Sequence, residues 1–397
     1  MNRSIKKSIS VNELNYIIEK NDVNESERSH LIPALFENPQ NEKTYLLKED
    51  ILTKEHIEDR ISGVINRQDC ILAIVNTFFV NDDLVIPREL KEIFFSNMKL
   101  AVFVGAGASK LLGIPLWDDL ANEVINYLKD NNHINHTESS RLKSEKYTAK
   151  QIMSIFHQII KDQTLLNRFY AERFKQTKNN LGNPYEILLK IENALLKPIV
   201  KISTNIDLEW ETILKDEFEK QKQNQNEEGQ EIKENPFPFY TQSQYSDFTN
   251  KQKISGEVLY QIHGSLHDLG STIITTSQYV NNYRDENGLK GFLENLFKEY
   301  VVLFIGSGIQ EFEILEHCLK QSQLEHFSLI PTQMGEENIF RIKKAYFKEI
   351  KINAIPYYLD FQGYDRLLIV LQSWVDEIAS IKKKTFYDDI RLIDEVM

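Results

Sequence analysis

The sequence predicts an α/β protein built on a Rossmann-like, mostly parallel sheet with helices on both faces. It contains short apolar runs rich in β-branched and aromatic residues, helix-patterned stretches between them, and glycine turns directly after two of the runs. Apolar strands separated by helices are typical of a parallel sheet that is buried on both faces. The predicted strands are Leu100–Val104, Ile199–Ser203, Val258–Ile262, Thr272–Thr275, Val301–Ile305, Phe327–Ile330 and Ile352–Leu359.

Helical patterns fill much of the remaining chain. Residues 55–79 are patterned as one amphipathic helix, Pro87 opens a short helix through Phe95, and further helical stretches cover 150–174 and 185–196. Residues 220–230 contain no apolar side chain, which predicts a surface loop there.

These patterns predict three parts. We expect a helical N-terminal extension at residues 1–95, used for oligomerisation or partner contact, and an α/β domain at 96–380. The stretch between the first two strands is longer than a crossover connection needs, so a helical subdomain is expected to be inserted at about 120–196. Residues 381–397 form a C-terminal tail.

Composition excludes several functional classes. The 397 residues are 41% hydrophobic and 27% charged, as in a globular protein, and the net charge of −12 argues against a nucleic-acid-binding surface. Two cysteines are too few for a four-thiolate zinc site, and no metal is expected. Since neither a signal peptide nor a membrane-spanning run is evident, we expect a cytoplasmic protein with no membrane contact.

The first predicted strand ends in the glycine turn Gly105-Ala106-Gly107-Ala108-Ser109, which leads into a helical stretch that carries Pro115 and Trp117. Such a turn lets backbone amides and a helix N-terminus approach the diphosphate of a nucleotide. Lys110 stands where a G-x-G-x-x-G dehydrogenase loop has its third glycine, and no Gly-Lys-Ser or Gly-Lys-Thr follows. A tight strand-to-helix turn without a ligand is the alternative.

The second predicted strand runs into Thr204-Asn205-Ile206-Asp207. Ligands of parallel α/β sheets bind beyond the carboxyl ends of the strands, so Thr204, Asn205 and Asp207 are expected at the same crevice as the glycine turn. The Asn205 amide suits sugar hydroxyls or a bound water. In the structural alternative, Asn205 caps the next helix and Asp207 lies in its first turn.

Two further strand ends carry polar or glycine-rich turns. His263 follows the third strand and is placed to exchange a proton with a ligand, with His267 as a competing candidate. Gly306, Ser307 and Gly308 follow Val301–Ile305 and form a second turn where a nucleoside can lie close to the backbone.

Together these turns resemble the sirtuin-like NAD-binding family, in the divergent bacterial branch found in NAD-depleting antiphage proteins. The resemblance covers about residues 95–380. It is carried by Gly105–Ser109 with Gly113-Ile114-Pro115 and Trp117, by Ser203–Asp207 with Glu211, by Ile262–Ser265, by Ile274–Tyr279, by Phe304–Gly308 with Glu311 and Glu313, and by Ile355–Tyr358.

The sequence departs from the family pattern at positions that bear on which reaction is implied. Leu116-Trp117 replaces the Asp-Phe-Arg of protein-deacylating sirtuins, and the four-cysteine zinc module is absent, so lysine deacylation is disfavoured. Glu311 stands where many relatives have Asp, which affects the contacts expected on the adenosine side.

The resemblance implies NAD⁺ as substrate and an NAD⁺ glycohydrolase that releases nicotinamide and ADP-ribose. Asn205 would hold the ribose or the attacking water, and His263 would accept a proton. The cofactor-binding set would be Gly105, Ala106, Gly107, Ser109, Pro115, Trp117, Thr204, Asp207, Gly306, Ser307 and Gly308.

Alternatives remain open at this stage. Attack by the adenine would give a cyclic ADP-ribose instead, and a sensor would bind NAD⁺ or ADP-ribose without cleaving it. A scaffold subunit is the third alternative. Because unregulated NAD⁺ loss would kill the host, we expect a latent homo-oligomer that is triggered in antiphage defence. The partner would be a hexameric ATPase, an Argonaute-like protein or a phage trigger.

Overall fold

The protein is described from a computed structural model. The described residues are 4–5, 8–20, 22–37, 44–51, 54–67, 70–71, 74, 79–80, 84–145, 147–227, 239–241, 254–256, 258–284, 288–308, 314, 316, 323–333, 336–359 and 363–396.

The chain divides into two compact units. The first comprises residues 1–86, 331–342 and 356–374, and the second comprises 87–330, 343–355 and 375–397.

The N-terminal part of the first unit combines short strands with helices. Its elements are β1 Ser4–Ile5, β2 Ser8–Ser10, α1 Val11–Lys20, α2 Glu25–Leu35, β3 Thr44–Leu46, α3 Lys54–Ser62 and β4 Phe79–Val80. The strands pair antiparallel, β1 with β4 and β2 with β3. A capping box between Asn24 and Glu27 begins α2. Buried aliphatic side chains between Ile9 and Ile74 form a core within this part.

The second unit opens with a strand and a set of helices. The elements are α4 Arg88–Phe95, β5 Leu100–Val104, α5 Ala106–Lys110, α6 Trp117–Asp130, α7 His136–Ser144, α8 Ala149–Ile159, α9 Gln163–Arg173 and α10 Pro184–Leu195. Helix α6 buries one face, with Leu120, Val124 and Leu128 packed against side chains of α8 and α9. Asn183 caps α10 ahead of Pro184, which suits a first helical position.

Further strands and helices follow to the end of the chain. The elements are β6 Ile199–Ser203, α11 Glu209–Glu227, β7 Phe239–Thr241, β8 Leu259–Gln261, α12 Thr276–Arg284, α13 Leu289–Glu299, β9 Val301–Ile305, β10 His326–Gln333, α14 Glu337–Glu349, β11 Ile352–Leu359 and α15 Arg366–Val396.

Seven of the described strands form one sheet, in the order β11-β10-β9-β5-β6-β8-β7. Strand β5 pairs in parallel with β6 on one side and β9 on the other, each along its whole length. The mostly parallel α/β fold is therefore confirmed. Because β6 and β9 flank β5, the strand order reverses at β5. The turns that follow these three strands therefore meet at the carboxyl end of the sheet.

Several predicted elements differ from the structure. Residues 272–275 form no strand, because the Ile274 and Thr275 amides donate to Gln278 Oε1 and so cap α12. The helix predicted at 55–79 ends at Ser62, ahead of Gly63. Residues 220–227 continue α11, since Gln, Glu and Lys favour helix without burial, and 228–230 lie outside the described residues.

The long helical stretch predicted at 150–174 is two helices. The side chain of Asp162 accepts hydrogen bonds from the Thr164 and Leu165 amides and begins α9 three residues after α8 ends. An N-cap inside the apolar pattern thus divides it.

Candidate functional site

The two glycine turns interlock at the edge of the sheet. The Gly105 amide donates to Ile305 O at 2.9 Å, and the Gly107 amide donates to Gly306 O at 2.8 Å. A Cβ atom on Gly107 would lie 2.8 Å from Gly306 O. Gly306 has φ +61°, and a Cβ there would lie 2.4 Å from Ala108 N. The glycines therefore allow one turn to pack on the other, and the Gly107 amide is not free to bind an anion in this conformation.

Asn205 is held by the turn that follows β5. Its Nδ2 lies 2.9 Å from Gly105 O, 2.8 Å from Ser109 Oγ and 2.9 Å from Tyr185 OH. Because a backbone carbonyl only accepts, the contact with Gly105 fixes which end of the amide points inward. No described residue donates to Asn205 Oδ1, so this oxygen remains available as an acceptor.

Ser109 links Asn205 to Asp207. Its Oγ donates to Asp207 Oδ2 at 2.6 Å and lies 2.8 Å from Tyr185 OH, while Asp207 Oδ1 accepts from the Glu209 amide at 3.1 Å. The bond from the Glu209 amide caps the start of α11, although Asp207 precedes this helix and does not lie in its first turn. The side chain of Asn205, in contrast, crosses to the glycine turn.

Burial dominates the electrostatics of this cluster. It raises the pKa of Asp207, and the hydrogen bond from Ser109 opposes that effect only in part. It also raises the pKa of Tyr185 well above 10, with the nearby Asp207 adding to the shift. The Tyr185 hydroxyl therefore keeps its proton and can donate to Ser109.

A small cleft opens over this cluster. It brings together seven of the predicted site residues, and the remaining lining residues are Ile114, Leu120, Phe174 and Ile206. The predicted residues are Ala106, Ser109, Pro115, Trp117, Thr204, Asn205 and Asp207. His263, Gly306, Ser307 and Gly308 are not among its described lining residues. Asn205 is 7% exposed, so a ligand must enter the cleft to contact its side chain.

His263 is fully enclosed, although it follows the neighbouring strand β8. Its exposure is 0%, and its Nε2 lies 2.8 Å from Tyr283 OH. The rings of Tyr279 and Tyr283 stack on each other and meet the imidazole edge-on. Helix α12, which carries both tyrosines, therefore covers the imidazole.

The enclosure makes His263 a weak base. Burial lowers its pKa to about 3, and the positive charge of Lys150 contributes to the shift. A hydrogen bond with the Thr204 backbone favours the protonated form, and it also places the imidazole beside the turn that carries Asn205. The imidazole is therefore neutral near pH 7.

Helix α8 holds α12 in place over His263 through two contacts. Lys150 Nζ lies 3.5 Å from the centroid of the Tyr279 ring, a cation–π contact. Ser154 Oγ accepts from the Thr276 amide at 2.9 Å and so holds the first turn of α12. Movement of α12 away from His263 would break both contacts.

His267, the competing histidine, lies elsewhere. Its Nε2 is 3.2 Å from Glu211 Oε1, and its side chain is 58% exposed. An exposed histidine paired with a carboxylate at the start of α11 contacts none of the predicted site residues through that bond.

The aromatic residues that contact Asn205 and His263 were not predicted from the sequence. Tyr185 lies in the first turn of α10, far along the chain from both turns, and nothing in its sequence context marks it. Tyr279 ends the Ile274–Tyr279 motif, and a tyrosine at the next helical turn, Tyr283, was the available signal.

Part of the chain is similar to a known protein family. Residues 200–355 match a family model described as a SIR2-like domain. Residues 200–355 are sirtuin-like. The matched segment contains Asn205, Asp207, His263 and the Gly306–Gly308 turn, and the Gly105–Trp117 region lies before it. None of the curated proteins searched matches the chain.

The sirtuin-like segment indicates NAD-related activity, since this family consists generally of NAD-dependent enzymes. Glu311 and Glu313, which contribute to the resemblance, lie outside the described residues. Within the described ranges, no group of three or more His, Cys, Asp or Glu side chains is placed to hold a metal ion. Among the helices that the structure describes, none has the length and apolar composition needed to cross a membrane.

Proposed function

We propose that the protein is an NAD⁺ glycohydrolase that cleaves the nicotinamide–ribose bond and releases nicotinamide and ADP-ribose. The observation that carries the proposal is the Asn205 amide, whose nitrogen is fixed by Gly105 O and Ser109 Oγ. The match of residues 200–355 to a SIR2-like domain supports NAD⁺ as the proposed substrate.

The proposed chemistry balances without a metal or a redox partner. The C–N bond between ribose and nicotinamide breaks, and its electron pair leaves with nicotinamide, which creates a ribosyl cation resembling those of glycosidases. A water oxygen then bonds to the ribose carbon. Asn205 Oδ1 accepts a hydrogen bond from that water or from a ribose hydroxyl, and His263 takes the proton.

The enclosed histidine fits a latent enzyme. A general base must come within hydrogen-bond distance of the proton that it removes, and His263 is covered by Tyr279 and Tyr283. Turnover therefore requires α12 to move, and contact with water would return the pKa of His263 toward its usual range. We propose that a trigger favours the open state.

An antiphage role is the biological setting that we propose. In this setting the protein is a homo-oligomer that depletes NAD⁺ when a phage component or a partner protein acts on it, such as a hexameric ATPase or an Argonaute-like protein. We propose residues 1–95 as the contact region. Light scattering of the full chain tests assembly, and a monomer at micromolar concentration would contradict it.

Two other products or roles use the same pocket. Attack by the adenine ring would give a cyclic ADP-ribose, and a sensor would bind NAD⁺ or ADP-ribose unchanged. The Oδ1 of Asn205 serves water and ribose alike, so the products decide between these roles.

Incubation of the full chain with NAD⁺, followed by chromatography of the products, tests the proposal. We expect nicotinamide and ADP-ribose from the wild type, faster when a trigger is present, and neither from Asn205→Ala. Asn122→Ala is the control, because Asn122 lies on the exposed face of α6. Turnover by Asn205→Ala at the wild-type rate would reject the assigned role, and bound NAD⁺ without products would favour the sensor.

A further inference from the structure

A large cavity lies at the end of the sheet opposite the Asn205 cleft. Its volume is about 790 Å³, and its lining includes Leu100 and Val200, at the amino-terminal ends of β5 and β6. Strands of this length span roughly 16 Å, so the cavity is separate from the turns that carry Gly105 and Asn205. The proposed NAD⁺ chemistry makes no use of it.

Part of the cavity wall is apolar. Its lining includes Phe94, Phe95, Met98 and Leu195, from α4, α10 and the segment before β5, together with Tyr300. Phe95 and Met98 are exposed, although both are large hydrophobic side chains. Apolar side chains around a concave space of this size are typical of small-molecule sites.

The charged residues of the lining all have one sign. They are Lys99, Lys197 and Lys382, and no carboxylate occurs among the described lining residues. The chain as a whole carries 59 acidic and 47 basic residues, so a wall with lysines alone runs against its overall charge. Charge complementarity favours an anion in this cavity.

Within the part of the chain that the structure describes, two of these ammonium groups have hydrogens that form no hydrogen bond. Lys197 Nζ donates to Ile93 O at 3.1 Å and Ser96 O at 2.9 Å, and Lys382 Nζ donates to Leu195 O at 2.6 Å. An ammonium has three hydrogens, so at least one remains on each. Among the described residues, no carboxylate forms an ion pair with either lysine, whereas Lys99 pairs with Glu299.

We propose that this cavity binds a small amphipathic anion, with its charged head between Lys197 and Lys382 and its apolar body against Phe94, Phe95 and Met98. A simple inorganic anion lacks the apolar body, and a neutral apolar molecule lacks the charge. Burial lowers the pKa of Lys197, which shows that its ammonium is partly desolvated and gains from a nearby negative charge.

The alternative is that the lysines only tie down helix ends. Ile93 and Leu195 lie in the last turns of α4 and α10, where cations interact favourably with the free carbonyls. Ligand binding separates the two explanations, because a purely structural lysine would not discriminate between charged and neutral ligands.

Calorimetric titration of the full chain with octanoate, 1-octanol and inorganic phosphate tests the proposal. We expect octanoate to bind at one site, about tenfold more tightly than either of the other two. Lys382→Gln and Lys197→Met should each weaken octanoate about three- to tenfold and leave 1-octanol unchanged. Lys384→Gln is the matched control, because Lys384 is an exposed lysine two residues further along α15.

Several outcomes would overturn the proposal. Equal affinity for octanoate and 1-octanol would show a merely apolar cavity, and equal affinity for phosphate would show that the apolar wall contributes nothing. Absence of saturable octanoate binding would reject the site outright. Thermal unfolding of each variant checks that the fold is intact, and Lys382→Gln, which loses one bond to a carbonyl, keeps the test valid if Lys197→Met unfolds.

Discussion

Asn205 and His263 occupy equivalent places on neighbouring strands, but their surroundings differ. Each lies two residues beyond its strand, and β6 pairs with β8 so that Ser203 faces Gln261. Asn205 lines a cleft and its Oδ1 accepts from no described residue, whereas His263 is enclosed by two tyrosines of α12. The position in the sheet determines where a side chain emerges, and the helix that packs over it determines whether a ligand can reach it.

Apart from the loss of products expected of Asn205→Ala, the largest effect is expected from His263→Ala. If α12 opens and His263 serves as the base, the triggered rate of NAD⁺ hydrolysis should fall about 10²- to 10⁴-fold. His267→Ala is the matched control and should retain activity, since His267 is exposed and paired with Glu211. Initial rates of nicotinamide release measure both.

Full activity of a folded His263→Ala variant would contradict the role of His263 as the general base. The histidine would then be a buried structural residue, and Asn205 alone would mark the site. Circular dichroism establishes that the variant is folded before its rate is interpreted.

A second effect concerns stability against pH. The pKa of His263 is about 3 in the folded protein and about 6.5 in the unfolded chain, so acidification favours unfolding between these values. Between pH 7 and pH 5 this group should remove about 2 kcal/mol of the free energy of unfolding.

Urea unfolding of the wild type and of His263→Gln at both pH values isolates this contribution. The raised pKa values of Asp207 and Glu209 act in the opposite direction, because these carboxyls bind protons more readily in the folded state. They are present in both proteins and cancel in the difference. An equal pH dependence of the two proteins would show that the enclosure opens readily in solution.

The contrast between Asn205 and His263 also shows what the sequence could predict. The strands β5, β6, β9 and β11 have the predicted bounds, because short runs rich in apolar residues and followed by glycine or polar residues are typical of buried parallel strands. Local patterns of this kind are readable residue by residue. The Gly105 and Gly306 turns meet because β5 pairs with β9, and this pairing was not predicted from the sequence.

The surroundings of each side chain were not predictable in the same way. Tyr185 and Asn205 touch through tertiary packing between α10 and the turn after β6, and no local pattern encodes that contact. The Thr272–Thr275 run failed as a strand because Gln278, three residues beyond it, takes its backbone amides for a helix cap. Long-range packing and side-chain capping outweigh local β propensity in such places.

A smaller effect is expected from Tyr185→Phe, on the Asn205 side of the comparison. The substitution removes the hydroxyl that contacts Asn205 and Ser109 but keeps the ring against Trp210. The free energy of unfolding should fall by about 0.5–1.5 kcal/mol. Urea unfolding measures it, and an unchanged value would show that the Tyr185 hydroxyl contributes nothing to holding Asn205.

The smallest effect tests the fastening of α12. Lys150→Met keeps much of the side-chain stem but removes the charge above Tyr279, so the closed state should lose about 0.5–1 kcal/mol and the open population should rise about two- to fivefold. Nicotinamide release without a trigger should increase by that factor, and hydrogen exchange at the His263 ring should accelerate in parallel. Lys161→Met, at an exposed lysine between α8 and α9, is the matched control. Faster exchange at the His263 ring without faster hydrolysis would support the contact between Lys150 and α12 but would reject His263 as the base. A fall in the rate of hydrolysis would indicate that Lys150 binds the substrate.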